Sequence, residues 1–356
     1  MMQIVSLSDA ITLQRGFDLP TSRRRQGKYP VVASTGTTTT HDKFKVKGPG
    51  VVIGRSGSIG GGQYVESDFW PLNTTLWVKD FKGNDEKFIY YTLKSLDFSS
   101  FNVGAAVPTL NRNHLSALKV RIPDVDKQKK IANILGSLDE KIELNRRMNE
   151  TLEQLGQALF RHYFVDNPEA KSWDKKPLDE IANFLNGLAM QKYPKINGQP
   201  TLPVIKIREM SSGITDSTDI ASANIPEEYI VHDGDLLFSW SGTLMVKFWS
   251  GGDGALNQHL FKVTSDKYPE WLYYYWAKYH LDHFISIAKS KATTMGHIQR
   301  KHLKQAEVIV PPNIEEMTSE FTPIIDQIKT NLFETNSLVN IRDSLLPKLI
   351  SGEIEV

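Results

Sequence analysis

Few residues in this chain stand at the spacings that catalysis or metal binding demands. His280 and His283 form an H-x-x-H pair on an aromatic stretch, but no further His or Cys at ligand spacing completes a metal site. They are expected to pack or to face solvent. The segment "PDVDKQKK" from Pro123 groups carboxylates with lysines in a way that resembles a nuclease fragment. It lies at a helix start, where Asp124 and Asp126 are explained by capping and the helix dipole. The chain has no G-x-S-x-G elbow, Walker A loop, H-E-x-x-H, or Asn/Asp-Pro-Pro-aromatic motif. It also has no cysteine, which excludes disulfides, thiolate metal sites and thiol nucleophiles. No catalytic residue and no metal site is expected.

What remains is the chemistry of binding. Lys plus Arg number 42 against 41 Asp plus Glu, so no global field draws the chain to nucleic acid or membrane, and any basic surface is local. Arg23, Arg24, Arg25 and Lys28 form one basic cluster. In "HDKFKVK", Lys43, Lys45 and Lys47 alternate, one face of a strand if the segment is extended. Such cations neutralise phosphates, while Ser, Thr, Asn, Gln and His read base edges. The candidate DNA-contacting residues of the first half are Arg23, Arg24, Arg25, Thr38, Thr39, His41, Lys43, Arg55, Ser56, Ser58 and Arg112. Those of the second half are Lys206, Arg208, Ser211, Ser212, Trp240, Ser241, Thr243, Lys291, Thr293, Thr294, His297 and Arg300. The loops "GRSGSIGGG" (Gly54 to Gly62) and "SWSGT" (Ser239 to Thr243) could bring backbone amides near a phosphate. Taken alone, a Gly/Ser loop is a turn and a charge run is a solvated face. Arg112 and Arg300 weigh more because each precedes the same strand of a repeat; pairing with a carboxylate to hold a loop is their rival role.

That repeat organises the chain. "RNHLSALKVRIP" at Arg112 and "RKHLKQAEVIVP" at Arg300 share five of twelve positions at a displacement of 188. "LSDAITLQRG" at Leu7 answers "LDEIANFLNG" at Leu178, displaced by 171. "GVVIGRS" at Gly50 answers "GDLLFSW" at Gly234, and "LNTTLWV" at Leu72 answers "LNQHLFK" at Leu256, both displaced by 184. Collinear matches of growing offset read as two copies of one fold, the second with longer loops. Each copy begins with short apolar runs such as "GVVIGRSG" or "DLLFSWSG", bounded by Gly, Asp and Asn, which read as short strands. An aromatic amphipathic helix follows, "KFIYYTLKSL" in one copy and "EWLYYYWAKYHLDHFI" in the other. The quoted strand then ends at a proline and gives way to a long helix.

Both long helices carry heptads. Ile131, Leu138, Asn145, Leu152 and Leu159 recur every seven residues, and Ile134, Met148 and Leu155 supply a second stripe three residues on. In the second copy Ile314, Phe321, Ile328 and Leu349 share one heptad position, and Met317, Ile324, Leu338 and Leu345 the next. A helix of some 37 residues is roughly 55 Å long. Two seams of such length predict an antiparallel coiled coil, which would place the globular copies at opposite ends. The alternative is two helices each packing on its own domain. Asn145 at a seam position would fix register at a cost in stability. Pro323 and Pro347 are expected to bend or break the second helix.

The expected fold is therefore α+β: two similar mixed domains, 1–124 and 169–312, with spacer helices at 125–168 and 313–356 forming the coiled coil. Such an arrangement suits the reading of two separated sites on a polymer of regular pitch, such as double-stranded DNA. The copies differ most at "TSRRRQGK" and "TGTTTTHDKFK" against "QKYPKINGQ" and "IREMSSGITDS", as two different readouts on one scaffold would require. No segment approaches the roughly 18 apolar residues of a membrane helix, and the start lacks a signal-peptide pattern. Cytoplasmic location is the expectation.

"ALFRHYFVDNPEA" (Ala158 to Ala170), "RDSLLPKLISGEIEV" (Arg342 to Val356) and the two strand-proline-helix elements resemble the specificity subunit of type I restriction-modification systems. "YPVVASTGTTTTHDKF", "VKGPGVVIGRSGSIG" and "FWPLNTTLWVKDF" resemble one recurrent type of target recognition domain in that family. The resemblance implies that each domain reads half of an asymmetric, bipartite target and that the coiled coil sets the unread spacing. It implies no catalytic activity and no cofactor in this chain. Partners would be DNA, two modification subunits that use S-adenosylmethionine to methylate adenine at N6, and ATP-driven restriction and translocation subunits. Two departures stand out: Asn167 follows Asp166 where the family usually reads Phe-Asp or Phe-Glu before proline, and Phe238, Ser239 and Trp240 replace Gly-Arg-Ser. A two-domain protein-binding scaffold, and the recognition subunit of a related defence complex without restriction activity, are the alternatives.

Overall fold

The computed structural model describes residues 2–98, 109–290 and 296–356. The chain divides into two compact units, Met1–Lys141 with Leu338–Val356, and Ile142–Ser337. Each unit thus contains part of both long helices.

The first unit runs β1 (Gln3–Ser6), α1 (Leu7–Ala10), β2 (Thr12–Arg15), β3 (Tyr29–Ala33), β4 (Gly36–His41), β5 (Gly50–Gly54), β6 (Gly60–Val65), β7 (Trp70–Pro71) and β8 (Thr75–Asp80). Then come α2 (Glu86–Lys94), α3 (Arg112–Ser116), β9 (Lys119–Ile122) and the start of α4 (Val125–Phe160). One sheet has the order β2-β8-β5-β6, a second β4-β3-β7 with β3 and β7 parallel, and β1 pairs antiparallel with β9. Val51, Val52 and Ile53 of β5 are all buried, which explains their unbroken apolar run. Asp85 starts α2 by accepting a hydrogen bond from the Phe88 amide at 2.8 Å.

The second unit repeats the plan with β10 (Asp174–Pro177), α5 (Leu178–Ile181), β11 (Asn183–Asn186), β12 (Thr201–Ile205), α6 (Ile207–Ser212), β13 (Ile220–Ser222), β14 (Ile230–Val231) and β15 (Leu236–Ser239). It continues through β16 (Met245–Phe248), β17 (Gly254–Leu256), β18 (Leu260–Thr264), α7 (Glu270–Ser290), α8 (Arg300–Gln305), β19 (Glu307–Val310) and α9 (Ile314–Ser351). Its sheets are ordered β11-β18-β15-β16 and β13-β12-β17-β14, and β10 pairs with β19. The parallel pair β12–β17 answers β3–β7. Two differences are local: α6 stands where the first unit turns directly from β3 into β4, and β14 extends into a strand the pairing that Val46 makes with Phe69 as a single bridge.

Strand register corrects the sequence alignment of the copies. Val52 faces Trp77 across β5 and β8, and Leu237 faces Lys262 across β15 and β18. Both members of the pair are displaced by 185, not 184. Thr75 therefore corresponds to Leu260, and the Gly54-Arg55-Ser56 run to Ser239-Trp240-Ser241. The shared Leu-Asn letters had drawn the alignment one residue off.

Within each unit the long helices pair antiparallel. In the first, Arg342 reaches Asp139 at 2.9 Å, and Ile131, Leu135, Leu346, Leu349 and Ile350 share its core. In the second, Asn145 donates to Glu334 at 2.8 Å and Asn331 to Asn149 at 2.8 Å. Asn145 is fully buried. The first stripe of α4 holds, with Ile131 buried and Leu138, Leu152 and Leu159 half-buried; on α9, Phe321 and Ile328 are buried and Leu338 and Leu345 half-buried. The second stripe of α4 does not hold. Ile134, Met148 and Leu155 face solvent, at 36%, 36% and 49% exposure. Their place facing inward is taken by Leu135, Ile142, Asn149 and Gly156, four residues after the first stripe rather than three. An amide and a glycine there hid the second seam from an apolar count. Pro323 and Pro347 leave α9 continuous from Ile314 to Ser351. Both are exposed, where water satisfies the carbonyls they orphan.

Candidate nucleic-acid interface

The basic residues of the first unit divide into free and engaged groups. Arg23 closes a short 3-10 turn, Thr21–Arg23, and is exposed, as is Arg25. Arg24 donates through Nε to the Leu19 carbonyl at 3.3 Å. Thr38 and Thr39 lie exposed on β4. His41 ends that strand but is only 5% exposed; its ring meets Trp70 edge-on at 5.3 Å, and its Nδ1 lies 3.1 Å from the Arg25 amide. It is a packing residue rather than a base reader. Lys43, Lys45 and Lys47 point outward, but no strand carries them: only Val46 bridges, to Phe69. Lys45 lies over the Trp70 ring at 5.2 Å.

The glycine loop between β5 and β6 presents Arg55 and Ser56 half-buried and Ser58 exposed. Positive φ at Gly57, Gly60 and Gly61 lets it turn tightly. The amides of Arg55 and Ser56 are spent on the Thr74 carbonyl, at 2.8 and 3.1 Å, so they are not a phosphate nest. In the matching loop the Gly242 amide is likewise spent, on the Gly296 carbonyl at 2.9 Å. Arg112 opens α3 exposed, beside the cap that Asn111 makes to the Asn113 amide.

In the second unit several candidates serve the scaffold. Lys206 pairs with Asp219, and Arg208 pairs at 2.7 Å with Glu209, whose side chain is fully buried. Ser211 and Ser212 donate to the carbonyls of Ile207 and Arg208, at 3.0 and 2.9 Å, inside their own helix. Ser241 is buried and bridges to His297, while Thr243 is exposed. Arg300 donates to the Phe184 carbonyl at 3.1 Å and its guanidinium lies 5.6 Å over Phe261. The sequence reading offered a carboxylate as its rival partner; a carbonyl and a ring take that place, while the residue as a whole stays exposed. Trp240 is half-buried, its indole donating to Asn186 Oδ1 at 2.9 Å with His259 and His297 beside it at 5.6 and 6.3 Å. Lys291, Thr293 and Thr294 lie outside the described residues. The sequence reading missed Asn186 and His259, which lie against Trp240, and Gln258, whose Nε2 is 3.4 Å from His259 Nε2; the one-residue misalignment concealed the last two.

His280 sits 2.8 Å from the Glu307 carbonyl and stacks on Trp276, and burial lowers its pKa below the ordinary imidazole value. His283 lies beside Phe284. Asp124 caps α4 through the Lys127 amide at 3.0 Å, which holds its carboxyl below the usual range. Among the described residues no three His, Cys, Asp or Glu side chains gather as a metal site, and no helix is long and apolar enough to cross a membrane.

Two copies of one mixed fold, each seated on an antiparallel helix pair and bearing different polar side chains on matching loops, define a tandem recognition protein. A family model described as the type I restriction modification DNA specificity domain matches residues 1–154 and again 170–340. The chain belongs to that family. The MjaIX type I restriction enzyme specificity subunit of Methanocaldococcus jannaschii is 24% identical over 319 residues, covering 80% of this chain and 74% of its own. The HindI specificity subunit of Haemophilus influenzae is 23% identical over 327 residues, covering 69% and 71%. The crystal structure of a type I restriction-modification S subunit from M. genitalium superposes with a TM-score of 0.64 at 18% identity, covering 98% and 96%, and shares the fold.

Proposed function

We propose that this chain reads an asymmetric, bipartite DNA sequence, one half with each recognition domain, and directs modification and restriction subunits to it. The recognition domains are residues 1–124 and 169–312; the helices at 125–168 and 313–356 set the unread spacing. The chain itself is non-catalytic. Methylation of adenine at N6 belongs to two S-adenosylmethionine-binding modification subunits docked on the helices, and ATP-driven translocation and cleavage to restriction subunits, in the cytoplasm. The observation that carries this reading is one scaffold built twice with different outward side chains. Identical readers would serve a symmetric site; different ones serve two different half-sites.

Binding tests it. The chain assembled with its modification partner should bind duplex DNA with an affinity that falls steeply as salt rises, through counterion release at Arg and Lys contacts. Partner binding with no dependence on DNA would instead favour a two-domain protein scaffold.

A further inference from the structure

We infer that a backbone cradle common to both units carries base-selecting residues, and that Gln258 and His259 read the second half-site from the positions that Asn73 and Thr74 hold for the first. The inference rests on the DNA-recognition reading above. In the first unit the Arg55 amide donates to the Thr74 carbonyl at 2.8 Å, the Leu110 amide to the Arg55 carbonyl at 2.7 Å, and the Gly16 amide to the Thr75 carbonyl at 3.1 Å. In the second unit the Trp240 amide donates to the His259 carbonyl at 3.4 Å, the Ile298 amide to the Trp240 carbonyl at 2.9 Å, and the Gly187 amide to the Leu260 carbonyl at 3.0 Å. One turn closes identically in both, Thr75 to Leu72 and Leu260 to Asn257, each at 2.9 Å. An isolated bridge ties each loop to the segment before α3 or α8, Ser56 to Thr109 and Ser241 to His297.

This shared backbone presents five equivalent positions, and the residue differs between the copies at each one. Arg15 answers Asn186, Arg55 answers Trp240, Asn73 answers Gln258, Thr74 answers His259, and Thr109 answers His297. All ten are exposed or half-buried. Gly16 and Gly187 keep their type because a Cβ at either would strike the carbonyl backbone of the adjoining turn. At the five positions above the type changes on an unchanged backbone and the side chain reaches the surface, although Asn73 also donates to Asp18 and Asn186 accepts from Trp240. Thr74 Oγ1 and His259 Nδ1, at the same point of the two cradles, are both buried without a hydrogen-bond partner, while His259 Nε2 lies 3.4 Å from Gln258 Nε2 on the half-buried face of the side chain. Beside His259, Gln258 brings an amide that can both donate and accept, the pattern that matches an adenine edge in the major groove. Trp240, held by Asn186, is a positioning residue that walls the histidine on one side.

The experiment installs the first copy's residues in the second, Gln258→Asn with His259→Thr, in the full chain assembled with its modification subunit. Methylated motifs are mapped by sequencing, and methylation rates are measured on duplexes bearing the parental site. The expected result is a changed or relaxed base in one half-site, a parental rate lower by about tenfold or more, and the other half-site and the spacing unchanged. The reciprocal pair, Asn73→Gln with Thr74→His, should alter only the other half-site, and it decides the matter if the first pair fails to assemble. Assembled variants that methylate the parental motif at the wild-type rate overturn the cradle assignment while leaving DNA recognition intact. If the wild type itself gives no motif, the DNA-recognition reading fails, and the cradle assignment with it.

Discussion

Gly156 offers a test in which the sign of the result is decisive. It lies within α4, where glycine costs about 1 kcal/mol relative to alanine, so Gly156→Ala should stabilise an isolated helix. In the folded second unit a Cβ at this position would run into Tyr275 Oη and lie 2.5 Å from Cζ and 2.9 Å from Cε1. Tyr275 has little room to yield. It is 2% exposed and packed by Phe160, Tyr274 and Phe321 at centroid distances of 5.9, 5.0 and 5.3 Å. With Tyr275 held on all sides, the cost falls in the upper half of the overpacking range, about 2–3 kcal/mol, which overturns the helix gain and leaves a net loss near 1–2 kcal/mol. For a unit of this size that is a melting temperature lower by about 2–8 °C. Tyr275 Oη is buried without a partner, so Tyr275→Phe alone should be neutral or stabilise by about 1 kcal/mol. In Gly156→Ala with Tyr275→Phe the nearest obstacle is gone, although Cζ remains close, and at least half of the loss should be recovered. Thermal unfolding of the four proteins gives the coupling. A Gly156→Ala protein as stable as the wild type, or a loss that Tyr275→Phe does not relieve, would refute the seating of α7 on α4 at this glycine.

The polar seam makes a second prediction. Asn145 donates to Glu334 but leaves Oδ1 buried and unpaired, so Asn145→Leu should raise stability in denaturant unfolding by about 1 kcal/mol; a loss of that size would show the amide to be a net stabiliser. Removing one heptad from both α4 and α9 takes out about 10 Å of helix, roughly three base pairs of DNA. The methylated motif should keep both half-site sequences and lose about that much spacer, whereas an unchanged spacer would end the ruler proposal.

Much of this architecture was legible because it repeats. Two copies of "RxHL" before a strand and a proline gave the duplication, and leucines and isoleucines every seven residues gave the long helices. Apolar spacing failed where the seam is not apolar: Asn149 and Gly156 occupy inward positions, and counting hydrophobic residues chose Ile134, Met148 and Leu155 instead. Residue type also gives no sign of partners distant in sequence. Arg300 is bound to a carbonyl 116 residues away, and His41 is buried against Trp70. Arg208 pairs with its neighbour Glu209, which is buried while the arginine stays exposed, and nothing in the letters shows which of two adjacent polar residues turns inward. The cradle was missed through one displaced residue in an alignment of two Leu-Asn pairs, an error that only strand register could reveal.

If the proposed function holds, this chain chooses the DNA sequence that its partners modify. The direct measurement is a map of N6-methyladenine across the genome of a host expressing the chain with its modification subunit, set against a host expressing the modification subunit alone. A chain that chooses the sequence gives a new bipartite motif, two unlike half-sites at one fixed spacing, only where it is present. With expression and assembly verified, the same methylation pattern in both hosts would contradict it.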